Sequence, residues 1–203
     1  FPYNTGTRNG ETFAIDLLHD VDFIKHEVSI NKQMVKIGPD WCFRPPKYDS
    51  YRTIKIGDNL EKELKESIRQ RKEYRIKYGD AYLRTYVTPD NTIVQLPVSV
   101  APDPDYKEIM PLCRSEKGKI VTPWSFPNCC VAIIKKELGI ECFHAHSLRH
   151  THGTILAENG VNPKTVMERL GNKYIATTLG TYTFNTEAMQ TSSVDIFEKA
   201  VNV

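Results

Sequence analysis

No apolar run in the 203 residues approaches the ~20 that a membrane-spanning helix needs. No basic, apolar, small-residue stretch of the signal-peptide kind opens the chain either. The expectation is a soluble, intracellular protein. Cysteine is sparse: Cys42, Cys113, Cys129, Cys130 and Cys142 are odd in number, include an adjacent pair, and offer no CxxC spacing. That pattern speaks against a disulfide framework and a zinc or redox motif, and predicts reduced, partly buried thiols. Charge of one sign is also lacking, since 27 Lys and Arg against 25 Asp and Glu leave a formal +2. Bulk electrostatics therefore announces no anionic partner, and any basic surface must be local. There is no internal repeat and no low-complexity tract.

What is present is enough apolar material for a core, 40% hydrophobic against 26% charged residues, which excludes a disordered segment. One globular domain over residues 1–203 is predicted. Phe1 and the irregular Pro2-Tyr3-Asn4-Thr5-Gly6 stretch open the chain without a leading element, so the expectation is a fragment truncated at its N-terminus.

Along the chain, Thr12 to Leu18 reads as a short helix. Glu27-Val28-Ser29-Ile30-Asn31, Gln33 to Ile37 and Tyr51 to Ile56 read as strands of one small antiparallel sheet, with Arg44 to Ser50 as a connecting loop. From Asp58 the spacing of Leu60, Leu64 and Ile68 predicts a helix whose other face is charged and solvated. Residues 80–117 hold five of the prolines and read as an irregular insertion with a strand or two. Three helices follow: Ser125 to Leu138, burying Val131, Ile134 and Leu138; His146 to Asn159, burying Leu148, Ile155 and Leu156; and one opened by Asn162-Pro163 and closed by Gly171. Residues 192–203 form a tail helix striped by Val194, Phe197 and Val201. The class is α+β, mostly helical, a small antiparallel sheet packed on a helical bundle.

The chemistry sits in two places far apart in sequence. Near the start, glycines flank Arg8 in Thr5-Gly6-Thr7-Arg8-Asn9-Gly10-Glu11, a pattern that a turn with an exposed arginine explains equally well. Near the end, His144, His146, Arg149, His150 and His152 fall within nine residues. On a helix, His146 meets Arg149 at i,i+3 and His150 at i,i+4, so they can converge on one small anion. The same spacing could bind zinc, but no acid stands at the HExxH position and no cysteine lies at metal spacing, so no metal is expected. His144 and His152 can instead be read as histidines that satisfy hydrogen bonds in the core.

The segments Gly160-Val161-Asn162-Pro163, Arg169-Leu170-Gly171-Asn172 and Thr178-Leu179-Gly180-Thr181-Tyr182, following His146-Ser147-Leu148-Arg149-His150 in that order, closely resemble the end of the catalytic domain of tyrosine recombinases, the phage integrase family. Thr5 to Glu11 is similar to that family's GxRxGE box, and Pro46-Lys47-Tyr48-Asp49-Ser50-Tyr51-Arg52-Thr53-Ile54 to its lysine-bearing β-turn. The likeness frames nearly the whole chain and is greatest to integrases of conjugative transposons and phages.

That resemblance implies the tyrosine-recombinase catalytic fold and site-specific cutting and rejoining of double-stranded DNA, for integration or excision of a mobile element through a 3′-phosphotyrosyl ester. It implies no cofactor and no metal, assembly with further protomers on DNA, tail exchange in trans, and a prokaryotic, cytoplasmic, nucleoid-associated setting. Tyr182, one of ten tyrosines, is the implied nucleophile, and a phenol of pKa ~10 needs a proton acceptor, the role that falls to His146. Arg8 and Arg149 are the implied phosphate binders, because permanently charged bidentate donors suit the charge of the transition state. Lys47 is the implied general acid for the leaving 5′ oxygen, with Lys36 and Lys55 on neighbouring strands as alternatives. Asn172 stands where the family usually has histidine or tryptophan, which implies altered assistance through an amide hydrogen bond. Two further readings remain at this point, a type IB topoisomerase or resolvase, and a DNA-binding module that keeps the fold without full activity. A metallohydrolase ranks behind both.

Overall fold

The computed structural model describes residues 1–176, 180 and 187–201. Two short helices, α1 (Pro2–Thr5) and α2 (Asn9–Ala14), precede strands β1 (Val21–Asp22), β2 (Glu27–Ile30), β3 (Gln33–Ile37), β4 (Asp40–Arg44) and β5 (Arg52–Lys55). Helix α3 (Asp58–Tyr78) leads to β6 (Leu83–Val87), β7 (Ile93–Pro97) and β8 (Lys107–Ile109). The C-terminal part holds α4 (Ala132–Leu138), α5 (Ser147–Glu158), α6 (Pro163–Leu170) and α7 (Glu187–Val201).

The architecture is α+β as expected, but the strands divide into separate antiparallel sheets. They are ordered β1-β2-β5, β3-β4 and β7-β6-β8. In the first, Val28 pairs with Ile54 and Ile30 with Arg52. Alternation along β2 sends Val28 and Ile30 into a core with Ile15, Leu17, Ile54, Ile56, Leu60 and Leu64, so α3 packs on this sheet through the apolar positions seen in the sequence. The β3-β4 hairpin adds Met34 and Phe43 to a second core with Phe13, Ala14 and Ile109. Residues 80–117 carry three strands rather than one or two, and bury Tyr82, Tyr86 and Ile109. Their prolines fall mostly between the strands, where missing N–H donors cost nothing to the ladder.

The third core joins α5 to α6 through Ala157, Val166 and Leu170. Asn162 caps α6, its side-chain oxygen accepting the Lys164 N–H at 2.8 Å, and Gly171 ends the helix at φ 70°, both as the sequence predicts. Two expectations need correction. The chain between Phe126 and Val131 winds as a π-helical turn, so α4 begins only at Ala132, and Leu138, expected in the core, is exposed. On α5, Ile155 is exposed as well, while Arg149, His152 and Gly153 share the buried face with Ala157. That face is polar because it meets α1 and the candidate site instead of an apolar layer. Helix α7 starts at Glu187, five residues before the expected 192, and Val194, Phe197 and Val201 stand exposed along it. Cys42, Cys113, Cys130 and Cys142 are free thiols, and burial pushes Cys113 up to about 12. No helix among the described residues is long and apolar enough to cross a membrane.

Candidate active site

Arg8 stands at the turn between α1 and α2, its backbone extended at φ −70°, ψ 158°. The turn is possible because Gly6 takes φ 68°, and a Cβ there would lie 2.5 Å from Leu170 Cδ2 and 2.8 Å from His152 Cδ2. Close approach of the first turn to α5 and α6 therefore needs glycine. Three residues on, Glu11 accepts the Arg8 backbone N–H at 2.8 Å, one half of a capping box. Its carboxylate also accepts from Arg8 Nη1 at 2.8 Å and Arg52 Nη2 at 2.8 Å. Burial alone would raise the Glu11 pKa, but the Arg52 and Arg8 hydrogen bonds and charges outweigh it and hold the carboxyl below its ordinary value.

From α5, Arg149 is buried. Its Nη1 donates to the carbonyls of Gly6 and Leu170, each at 2.7 Å, and its Nη2 to Asn172 Oδ1 at 2.8 Å. Because a guanidinium only donates, the oxygen of the Asn172 amide must be the atom facing Arg149, and the N–H donors point elsewhere.

The organising feature is the C-terminal end of α6. Arg52 Nε donates to the Arg169 carbonyl at 2.8 Å, Arg149 to that of Leu170, and Arg8 Nη2 to that of Gly171 at 2.6 Å. Three consecutive carbonyls thus hold three different arginines. A helix ends with carbonyls that lack intrahelical partners and carry partial negative charge, so this end can gather like-charged guanidiniums that would otherwise repel. Gly171 is required twice over, by its positive φ and because a Cβ would lie 2.6 Å from Arg52 Nη1. Arg169 adds a fourth guanidinium on the outer side, donating to Lys55 O, Asn4 O and His152 Nε2 at 3.0–3.1 Å. Among the described residues, the carboxylate bonded to this group is Glu11, so guanidiniums dominate locally in a chain of formal charge +2.

His152 is a satisfied core histidine. Its Nδ1 donates to the Tyr3 carbonyl at 2.8 Å and its Nε2 accepts from Arg169, which requires the neutral ring; burial, then Arg169 and Arg149, outweigh the Tyr3 bond and lower its pKa. His144, by contrast, is exposed, so the core reading does not hold for it. His146 occupies the position just before α5. The His146 and His150 ring centroids are 6.4 Å apart, and those of His144 and His150 5.9 Å. Burial first, then the charges of Arg149, His150, His144 and Arg8, lower the His146 pKa, so its ring is neutral at pH 7 and able to accept a proton.

Lys47 lies in a 3₁₀ turn, Lys47–Asp49, ahead of β5. Its carbonyl accepts from the Ser50 hydroxyl at 2.9 Å, and that hydroxyl accepts from Arg8 Nη1 at 3.1 Å, so one serine ties the lysine turn to Arg8. The Lys47 ammonium rests 4.9 Å from the Tyr48 ring centroid. The alternatives Lys36 and Lys55 point to other partners, the Trp124 ring and Glu27 with the Lys25 carbonyl. Tyr182 lies outside the described residues, as do Thr178, Leu179 and Thr181. The structure thus brings Arg8, Arg149 and Asn172 together around one helix end, with His146 one turn from Arg149 and Lys47 joined through Ser50. Sequence reasoning assigned no role to Arg52, Arg169 or Ser50, and an arginine on a strand or in a last helical turn carries no local signal of a long-range contact.

Comparison with known proteins bears on the fold. Residues 127–189 match the sequence profile of the phage integrase family. A "Tyrosine recombinase XerC-like" protein of Caldanaerobacter subterraneus subsp. tengcongensis is 26% identical over 95% of this chain and 46% of that protein, so the chain spans about half the length of this curated relative. The integrase of Staphylococcus phage L54a is 41% identical over 28% of the chain and 16% of its own length. Among solved structures, the Tn1549 transposon integrase in complex with transposon right end DNA superposes with a TM-score of 0.69 at 20% identity, covering 96% of this chain and 56% of that one. XerA recombinase gives 0.58 at 20% identity, with 96% and 55% covered. Around the matched profile, the fold is that of the tyrosine recombinase catalytic domain.

Proposed function

We propose that a chain with the tyrosine-recombinase catalytic fold and this arginine cluster is the catalytic part of a site-specific DNA recombinase, serving integration or excision of a mobile element. The observation that carries the reading is the convergence of Arg8 and Arg149, from two separate segments, on the single turn 170–172, where Asn172 joins them. Neither turn geometry nor core packing calls for guanidiniums beside one another; an anionic, oxygen-rich ligand such as a phosphodiester does. Among the described residues, the Arg8 Nε has no protein acceptor, which leaves a donor for a phosphate oxygen.

In the proposed step, the Tyr182 phenolic oxygen attacks the scissile phosphorus and its proton passes to neutral His146. The new P–O bond to tyrosine forms as the P–O5′ bond breaks, and Lys47 supplies the proton that the leaving 5′ oxygen takes. Arg8 and Arg149 hold the non-bridging oxygens as charge builds on them, and the Asn172 N–H donors add a further hydrogen bond. Attack by a 5′ hydroxyl of another strand reverses each transfer and regenerates the free tyrosine. Such work requires double-stranded DNA and further copies of the chain, and we place it at the nucleoid of a prokaryotic cytoplasm.

The test is incubation with a nicked suicide duplex carrying a candidate recombination site, followed by denaturing electrophoresis. A covalent protein–DNA adduct whose peptide maps to Tyr182, absent in Tyr182→Phe, is the expected result. An adduct at another tyrosine would redraw the alignment beyond Gly171, and none in the full-length protein would leave a binding module.

A further inference from the structure

Of the two tryptophans in the chain, Trp41 is partly buried and packs on the core that contains Phe13, Met34 and Phe43. Trp124 is 66% exposed, although a large aromatic ring left in water gains nothing for the fold. Its surroundings are specific. The Lys36 ammonium of β3 lies 5.0 Å from its ring centroid, and the preceding carbonyl, Pro123 O, accepts from Asn9 Nδ2 at 3.0 Å. Asn9 follows Arg8 directly, so the backbone that carries Trp124 is fastened to the first turn of α2, at the rim of the arginine cluster. Lys36 has no carboxylate partner among the described residues, and its cation is oriented only by the indole.

We infer that Lys36 and Trp124 form a sequence-independent grip on the DNA sugar–phosphate backbone next to the phosphate held by Arg8. The ammonium pairs with a flanking phosphate, the indole N–H donates to an oxygen of the same strand, and the ring packs on a deoxyribose. Three features on the page support that occupant: continuity with Arg8 through Asn9, the positive field of the cluster, and a ring whose cation leaves it suited to an anionic and not a cationic neighbour. The inference rests on the proposed DNA-cleaving role of the arginine site, and it concerns positioning, not chemistry.

The experiment follows tryptophan emission while duplex DNA is titrated into the chain, with fluorescence anisotropy of labelled DNA as an independent measure of binding. The DNA-induced change in emission should persist in Trp41→Phe and vanish in Trp124→Phe. Lys36→Ala should weaken binding about three- to tenfold for every sequence tested, and lower the salt slope, log K against log salt, by about 1. Circular dichroism checks that each variant is folded. Binding by anisotropy with no contribution from Trp124 and an unchanged slope in Lys36→Ala would overturn the grip while leaving the recombinase reading intact. Emission from Trp124 that follows protein concentration and not DNA would assign the patch to a second copy, and also overturn it. Absence of DNA binding by anisotropy would remove both readings.

Discussion

Replacing Glu11 with glutamine tests the idea that one buried carboxylate holds the arginine cluster in shape. Glu11 has no solvent exposure. Each of its oxygens receives two donors: Oε1 from Arg8 Nη1 and Arg52 Nη1, Oε2 from Arg8 N and Arg52 Nη2, at 2.8–3.3 Å. An amide of the same shape turns one oxygen into a donor facing two donors, whichever way it is flipped, and leaves two guanidiniums without their anion. Breaking a buried ion pair from one side costs about 3–5 kcal/mol, and for a domain of this size that lowers the Tm by roughly 10 °C or more. Urea unfolding followed by circular dichroism measures the loss. A second readout is pH. The Glu11 pKa is lowered in the folded state, so its stabilisation is complete above the unfolded value of about 4.3 and is lost as pH falls through the folded value. Glu11→Gln should therefore be less stable at pH 7 and show a shallower loss of stability in acid. A destabilisation under about 1 kcal/mol, or an unchanged acid slope, would refute the claim that this carboxylate organises the cluster.

Asn172→His should preserve or raise DNA cleavage in the suicide-substrate assay, since the imidazole can donate where the amide does; a large loss would mean that the position after Gly171 is misassigned. The lowered His146 pKa predicts a cleavage rate that is flat above pH 7 and declines only as pH falls below the ordinary histidine value of about 6.5, measured under single-turnover conditions; a midpoint above 7 would count against His146 as base. With His146, His150 and His152 all shifted down, the unfolded chain takes up protons that the fold refuses, so stability should drop as pH decreases through 6.5, as read from urea midpoints. Truncation at Thr191 removes most of α7 and its exposed Val194, Phe197 and Val201, and should impair strand exchange more than DNA binding; equal impairment would refute a specific part for the tail in exchange.

Local rules read well where local chemistry decides. The cap at Asn162 and the stop at Gly171 are both in place, because a positive φ or a side-chain acceptor is specified by the residue itself. The apolar face of α3 was legible for the same reason. What failed was partnership. Leu138 and Ile155 have the spacing of buried positions, yet nothing among the described residues covers them. Strands β2, β3 and β5 are legible one by one, but β1 and β4 are not, and the division into separate sheets depends on contacts between distant segments. At the site, Arg8, Arg149 and Asn172 were found through a likeness of ordered motifs, while Arg52, which reaches 117 residues along the chain to the Arg169 carbonyl, looks in sequence like any strand arginine.

The turn that ends α6 also sets a schedule. The carbonyls of residues 169–171 are the anchor points for Arg52, Arg149 and Arg8, so a growing polypeptide has no assembled cluster until Gly171 has been made. Arg8 is made 163 residues before the carbonyl that seats it. Products of interrupted synthesis, stopped anywhere short of Gly171, therefore lack the means to arrange their own arginines.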